Sequence, residues 1–471
     1  MAFHCQILLQ LVLSHALLIL IFSGLISTRV TVHGFSIKEA NVDDLQLAFQ
    51  QNKLTSRQLV EFYLGEISRL NPLVHGVIEV NPDALYQADK ADGERKAKAP
   101  GWLSELHGIP VLVKDNIATK DKLNTTAGSS ALLGSVVPRD AGVVKRLRDA
   151  GVVILGKASL TEWSDSRSLT LPDGWSARGG PGLNPYVLSA SPCGSSSGSA
   201  ISVAANMVAV SLGTETRASM ICPANANSVV AIKPTVGLTS RAGIIPISLR
   251  QDSIGPICRT VSDAVYVLEA IVGFDENDAE ATKQASKFIP HGGYKQFLKP
   301  DGLKGKRLGI TRIPFLNYPS GSVVPNVFED HLKTTRRTNG CNLEINNIHV
   351  ILNVNQSGEA TALVAELKLA LNSYLKDLVV SPVRSLAEVI AFNKKFSDLM
   401  TKSLEEYGQG IFLVAERTKG IGPVEKAALL NLQKLSRDGF EKLMIDNELD
   451  AVVTPGADFA QACHLASALG D

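Results

Sequence analysis

Three short apolar runs, Ile109 to Val113, Val152 to Leu155 and Val208 to Leu212, alternate with segments of helical spacing such as Val143 to Ala150 and Gly198 to Ala205. Runs this short and this apolar predict strands buried on both faces. Strands alternating with helices confine the chain to an α/β architecture, a sheet covered by helices on both sides. Upstream, Thr55-Ser-Arg-Gln58 forms a capping box ahead of Leu59, Phe62, Tyr63, Ile67 and Leu70, which predicts an amphipathic surface helix. Function is expected in the glycine- and serine-rich connections between these elements.

A chain of 471 residues holds two to three ordinary domains or one large α/β domain. Lys plus Arg total 47 against 46 for Asp plus Glu, a balance of +1 that gives no electrostatic reason to expect nucleic acid or a charged membrane as partner. The expected partner is a small molecule.

The N-terminal stretch differs from the rest. Ile7 to Ile26 is almost wholly apolar, interrupted by Gln10, Ser14, His15, Ser23 and Gly24. It reads as a signal peptide, with Val32-His33-Gly34 a tolerable cleavage site, and assigns the chain to the secretory pathway or the extracellular space. The missing basic flank leaves an uncleaved anchor as the alternative. In such a compartment Asn124-Thr-Thr126 and Asn355-Gln-Ser357 become glycosylation acceptors. Beyond Cys5 in the leader, Cys193, Cys222, Cys258, Cys341 and Cys463 match no zinc or redox spacing and are odd in number. No dense disulfide framework is expected, and most are read as small buried apolar residues.

Gly151-Val-Val-Ile-Leu-Gly156-Lys157 has the spacing of a phosphate loop but the wrong chemistry. Its four central residues are apolar and β-prone, and Ala158 stands where a hydroxyl is needed. The informative stretch is Ser191-Pro-Cys-Gly-Ser195-Ser196-Ser197-Gly198-Ser199, followed by Gly213-Thr-Glu-Thr-Arg217-Ala218-Ser219-Met220. Each serine-bearing segment adjoins an apolar run, which argues for an ordered turn on a rigid sheet rather than a linker. A serine nucleophile needs a base, and no histidine stands in a persuasive context. Lys114 ends the apolar run Ile109 to Val113, where burial would lower its pKa enough to populate the neutral amine.

These segments resemble the amidase signature family, and plant amidase-like proteins in particular. The likeness rests on Gly108-Ile-Pro-Val-Leu-Val-Lys114-Asp115-Asn116, Thr125-Thr-Ala-Gly-Ser129, the serine-glycine loop, Gly213-Thr-Glu-Thr, Pro223-Ala224, Val230-Ala-Ile-Lys-Pro-Thr-Val-Gly237 and Asp252-Ser-Ile-Gly-Pro256 with Arg259 to Asp263. The resemblance implies one large α/β domain over 35–471 after a leader at 1–34, with a mixed central sheet covered by helices on both faces. The signature core would span about 106–272, and 277–438, with patterns such as Leu363 to Leu375, would form a peripheral, substrate-shaping helical part. It further implies a Ser-cisSer-Lys triad, with Ser219 as nucleophile, Ser195 as the cis serine and Lys114 as base. An oxyanion site would come from the backbone N–H groups of Thr216, Arg217, Ala218 and Ser219. No cofactor and no metal are implied. The expected partner is an amide substrate, with no nucleic acid, and no stable membrane contact unless the leader is retained; oligomeric state is not legible.

Two departures from the family pattern stand out. Arg217-Ala218 replaces the usual Gly-Gly or Asp-Gly before the nucleophile, so a left-handed backbone at 218 would cost about 1–2 kcal/mol. Arg217 would line the pocket, plug it, or extend into solvent. The chain also stops soon after Leu449-Asp-Ala-Val-Val-Thr-Pro455, a strand pattern, earlier than family members do, which reads as a truncation exposing a sheet edge. The leading expectation is an amidase that works through an acyl-serine. The rivals are a catalytically impaired relative and the glutamine amidohydrolase subunit of a tRNA amidotransferase.

Overall fold

The computed structural model describes residues 35–97, 103–311, 318–335, 341–343, 350, 353–396 and 403–456. The apolar run Ile7 to Ile26, read above as a signal peptide, Cys463 and the chain after 456 lie outside them. Six strands form the central sheet: β1 (Val77–Val80), β2 (Pro110–Lys114), β3 (Val153–Ala158), β4 (Val210–Glu215), β5 (Val230–Ala231) and β6 (Ser253–Cys258). They run in the order β1-β3-β2-β4-β6-β5. The pairs β3–β2 and β2–β4 are parallel, and β1–β3, β4–β6 and β6–β5 are antiparallel, so the sheet is mixed as the resemblance implied.

Successive strand residues face opposite sides of a sheet, so complete burial along a strand means that both faces are covered. Every residue of β2, β3, β4 and β6 is buried. The helix Ser197–Ala204 packs on β4 and β2, Ala84–Lys96 packs on β3, and Val261–Ile271 packs on β6. Each predicted strand is present and runs further toward its C-terminal end than its apolar run does. Pairing with neighbours carries the ladder into polar residues, Lys114 opposite Ala158 and Glu215 opposite Ser253.

The capping box is formed as read. Thr55 Oγ1 accepts from Gln58 N at 3.1 Å, and Thr55 N donates back to Gln58 Oε1 at 2.9 Å. The helix Ser56–Val74 that it opens buries Leu59, Tyr63 and Ile67 and leaves Phe62 and Leu70 half-buried. Such a cap contributes about 1 kcal/mol. The phosphate-loop look-alike is β3, fully buried, with Lys157 Nζ donating to Ile117 O and Thr125 Oγ1.

The expected helix at Leu363 to Leu375 spans Glu359–Asp377, and its Leu367 and Leu371 join the same hydrophobic cluster as Val111, Ile154 and Val210. Three more strands, β7 (Leu308–Thr311), β8 (Cys341–Leu343) and β9 (Ala451–Val453), form a separate parallel sheet in the order β8-β7-β9. The strand pattern near the C-terminus is thus β9, which among the described residues pairs with β7.

The cysteines require a correction. Cys193 and Cys222 form a disulfide with Cα atoms 5.8 Å apart, so they are not simple apolar fillers; Cys258 is free and buried. Of the two glycosylation tripeptides, Asn124 is half-buried and donates through Nδ2 to both carboxylate oxygens of Glu79, whereas Asn355 is exposed.

Candidate functional site

Parallel pairing of β2 with β4 sets Val113 beside Leu212 and so brings the C-terminal end of β2 alongside Thr214. Lys114, the last residue of β2, is fully buried there. Its Nζ lies 2.8 Å from Ser195 Oγ, 3.0 Å from Ser196 Oγ and 3.3 Å from Thr214 O. Burial lowers its pKa to about 7, against the opposing pull of Glu215, Asp252 and Asp165. Near neutral pH the amine is therefore neutral in a large share of molecules and can accept a proton.

The serine-glycine loop is a hydrogen-bonded turn. Ser196 N donates to Ser219 O at 2.9 Å, Ser196 Oγ to Thr214 O at 3.0 Å, Ser199 Oγ to Leu212 O at 2.9 Å, and Thr161 N to Ser195 O at 3.0 Å. The Gly194–Ser195 peptide is cis. A Cβ at Gly198 would collide with the backbone of Ser159 and Gly76, so only glycine lets this helix start approach the sheet. The disulfide adds a covalent tie, joining a residue two before Ser195 to one three after Ser219.

Beyond β4 the chain turns through Thr216 to Ser219 into the short helix Ile221–Ala226. Two buried carboxylates hold this turn. Glu215 Oε2 accepts from Met220 N at 2.6 Å and Ile221 N at 3.0 Å. Asp252 takes Thr216 Oγ1 on one oxygen and Ile247 N and Ser248 N, at 2.9 and 3.1 Å, on the other. Burial still raises the Asp252 carboxyl to about 6. Both residues stand in the motifs read from the sequence, but the sequence assigned them no role.

Ala218 is buried and takes φ 56°, the left-handed region, so the cost foreseen for a non-glycine residue there is present. The chain bears that cost and keeps the turn. We expect Ala218→Gly to raise stability by up to about 1 kcal/mol, because relief of the Cβ clash outweighs the extra unfolded-state entropy of glycine. Thermal melts check this, with kcat/KM expected to hold or rise. Arg217 neither plugs the pocket nor extends free into solvent. Its Nε lies 3.7 Å from Oε2 of Glu359, the first residue of the helix Glu359–Asp377.

Ser195 and Ser219 line one small cavity of about 10 Å³ together with Asn116, Ser164, Thr214 and Thr216. Asn116 Nδ2 donates to Thr214 Oγ1 at 2.9 Å and Ser164 Oγ at 3.2 Å across it. Ser164, Thr216, Ser219 and Ile247 also border a cleft of about 760 Å³. Leu363, Val364, Leu367, Ile411 and Val414, from the helices Glu359–Asp377 and Gly410–Arg417, also line it, so these helices border the same space as Ser219. Of the three side chains singled out in the sequence, Lys114 meets Ser195 directly, while Ser219 shares the small cavity with Ser195 and turns its Oγ to Arg217 O at 3.4 Å. Thr216 lines both cavities and Arg217 the larger cleft. Asp165, on the same cleft, was missed. In the sequence it is one acid in the ordinary polar stretch Glu162-Trp-Ser-Asp-Ser-Arg167, which carries no motif.

The amidase family model matches residues 58–465. A probable amidase of Arabidopsis thaliana is 62% identical over 429 residues, covering 90% of this chain and 81% of that protein. The structure of native peptide amidase from Stenotrophomonas maltophilia superposes with a TM-score of 0.83 at 40% identity, covering 91% of this chain and 88% of that one. A glutamyl-tRNA(Gln) amidotransferase component from Microcystis aeruginosa is 39% identical over 262 residues, 55% of this chain and 51% of that protein.

Proposed function

Because the chain belongs to the amidase family, we propose that this amide hydrolase works through a covalent acyl-serine formed at Ser219 by a Ser195–Lys114 relay. Neutral Lys114 takes the proton of Ser195, Ser195 takes that of Ser219, and Ser219 Oγ attacks the amide carbon. The backbone N–H groups of Thr216, Arg217, Ala218 and Ser219 are the donors to the developing oxyanion. As the C–N bond breaks, the relay returns the proton to the leaving nitrogen, and water then releases the acid by the same path. The products are a carboxylic acid and ammonia or an amine.

The observation that carries this reading is the buried Lys114 Nζ at 2.8 Å from Ser195 Oγ, with its pKa lowered to about 7. A base poised near the working pH is the condition for efficient proton transfer. The impaired reading loses ground because Ala218 keeps a left-handed turn and Arg217 is drawn aside to Glu359. The amidotransferase reading is weakened by the lower sequence likeness, 39% identity over 55% of the chain against 62% over 90% for the plant amidase. The Cys193–Cys222 disulfide and the apolar Ile7 to Ile26 run favour an oxidising, secretory or extracellular location, with the exposed Asn355 as the glycan acceptor.

The test is covalent labelling with a fluorophosphonate alongside turnover of a panel of carboxamides. Wild type is expected to label at Ser219, and Ser219→Ala to lose the label together with at least roughly 10³-fold in kcat/KM. A folded wild-type protein that takes no label overturns the mechanism.

A further inference from the structure

Among the described residues, the cleft in front of Ser219 bears three charged side chains, Asp165, Arg217 and Glu359. Arg217 and Glu359 offset one another at 3.7 Å, while no salt bridge to Asp165 is formed among the described residues, and its carboxylate is exposed to the cleft. The cleft is otherwise largely aliphatic, lined by Leu363, Val364, Leu367, Ile411 and Val414. The space thus offers one carboxyl group with no salt bridge among the described residues, in largely aliphatic surroundings.

The backbone that presents this carboxyl group is unusual. Trp163, Ser164 and Asp165 are consecutive non-glycine residues in the left-handed region, with φ 54°, 54° and 70°. Each costs roughly 1–2 kcal/mol, and such conformations persist only where the surroundings enforce them. Here Trp163 N donates to Ala127 O at 2.9 Å, Trp163 O accepts from Ser166 Oγ at 2.6 Å, and the buried indole packs edge-on against Phe412 at 5.5 Å. The buried ion pair of Glu162 and Arg167 brackets the turn on both sides. A carboxylate held this way loses little entropy when it binds a ligand.

We propose that Asp165 is a specificity-determining residue that accepts hydrogen bonds from a protonated amine on the acyl part of the substrate. The preferred substrates are amides that join an ammonium group to an aliphatic side chain. This rests on the cleft being the acyl site of the amidase reading above. Desolvation by burial and the neighbouring Asp173 push the Asp165 carboxyl up to about 7 against the opposing pull of Lys114, so a bound cation would also favour its charged form.

Leucinamide and glycyl-leucinamide, each compared with its N-acetylated counterpart, supply the test. A hydrogen bond to a charged group corresponds to roughly ten- to a hundredfold in kcat/KM. Wild type should prefer a free-amine substrate by about that factor, and Asp165→Asn should reduce the preference at least tenfold. Calorimetric binding of the same compounds to Ser219→Ala, with and without Asp165→Asn, reads the same preference without turnover. Amide turnover whose amine preference is absent, or survives in Asp165→Asn, overturns this proposal alone. Asp165-dependent binding of the amine to a protein that neither labels nor turns over overturns the acyl-serine mechanism alone.

Discussion

Replacing Lys114 with methionine is expected to lower kcat/KM by roughly 10³- to 10⁴-fold, the scale of a lost general base. Methionine fills most of the same volume but cannot accept a proton. In wild type, kcat/KM should rise from acid pH and level off above about 7, as the free-enzyme lysine loses its proton. Stability should respond with its own sign. Burial depresses this lysine from 10.5 to about 7 in the folded chain, so between those values the unfolded chain binds the extra proton and wild-type stability rises with pH. Below about 7 both states are protonated and the contribution is flat. Urea unfolding at pH 7.5 and 9.5 should show the stability of wild type, measured relative to Lys114→Met, increasing with pH. A difference independent of pH would mean that the lysine is not depressed.

Contiguous features were legible in the sequence. The run ending in Lys114 identified both a buried strand and a lysine at its end, because local apolar character and burial go together. β3 carries a second buried lysine, Lys157, whose Nζ is taken up by Ile117 O and Thr125 Oγ1. The Thr55 capping box was likewise a local signal, formed by residues three apart. What escaped the reading depends on chain segments meeting after folding. Arg217 finds Glu359 only because the helix Glu359–Asp377 packs its start against the nucleophile turn, and nothing near residue 217 announces that partner. Asp165 was hidden because Trp163-Ser-Asp gives no glycine to mark a left-handed turn. Cys193 and Cys222 fit no cysteine motif, since their pairing follows from two loops converging on Lys114 rather than from spacing.

That disulfide carries the second large effect. Cys193 and Cys222 are 29 residues apart in sequence, and closing a loop of that size removes unfolded-state entropy equivalent to roughly 3–4 kcal/mol in the chain-entropy model. The double variant Cys193→Ser/Cys222→Ser is therefore expected to lose about that much in denaturant unfolding. Wild type treated with a dithiol reductant should approach it. The kinetic consequence follows from where the bond lies. The cis-serine loop and the nucleophile turn are also tied by hydrogen bonds, among them Ser196 N donating to Ser219 O at 2.9 Å, Ser196 Oγ donating to Thr214 O at 3.0 Å and Asn227 Nδ2 donating to Pro192 O at 2.9 Å. Such hydrogen bonds, each worth about 1 kcal/mol net, leave more positional freedom than a covalent link. Small misplacements of reacting groups cost up to about 10²-fold. Fluorophosphonate labelling of Ser219 in the double variant, measured where it is still folded, should be roughly ten- to a hundredfold slower than in oxidised wild type. A wild-type labelling rate beside a stability loss of the expected size would show that the hydrogen bonds alone hold the two serines in register, and would confine the disulfide to a role in the unfolded state.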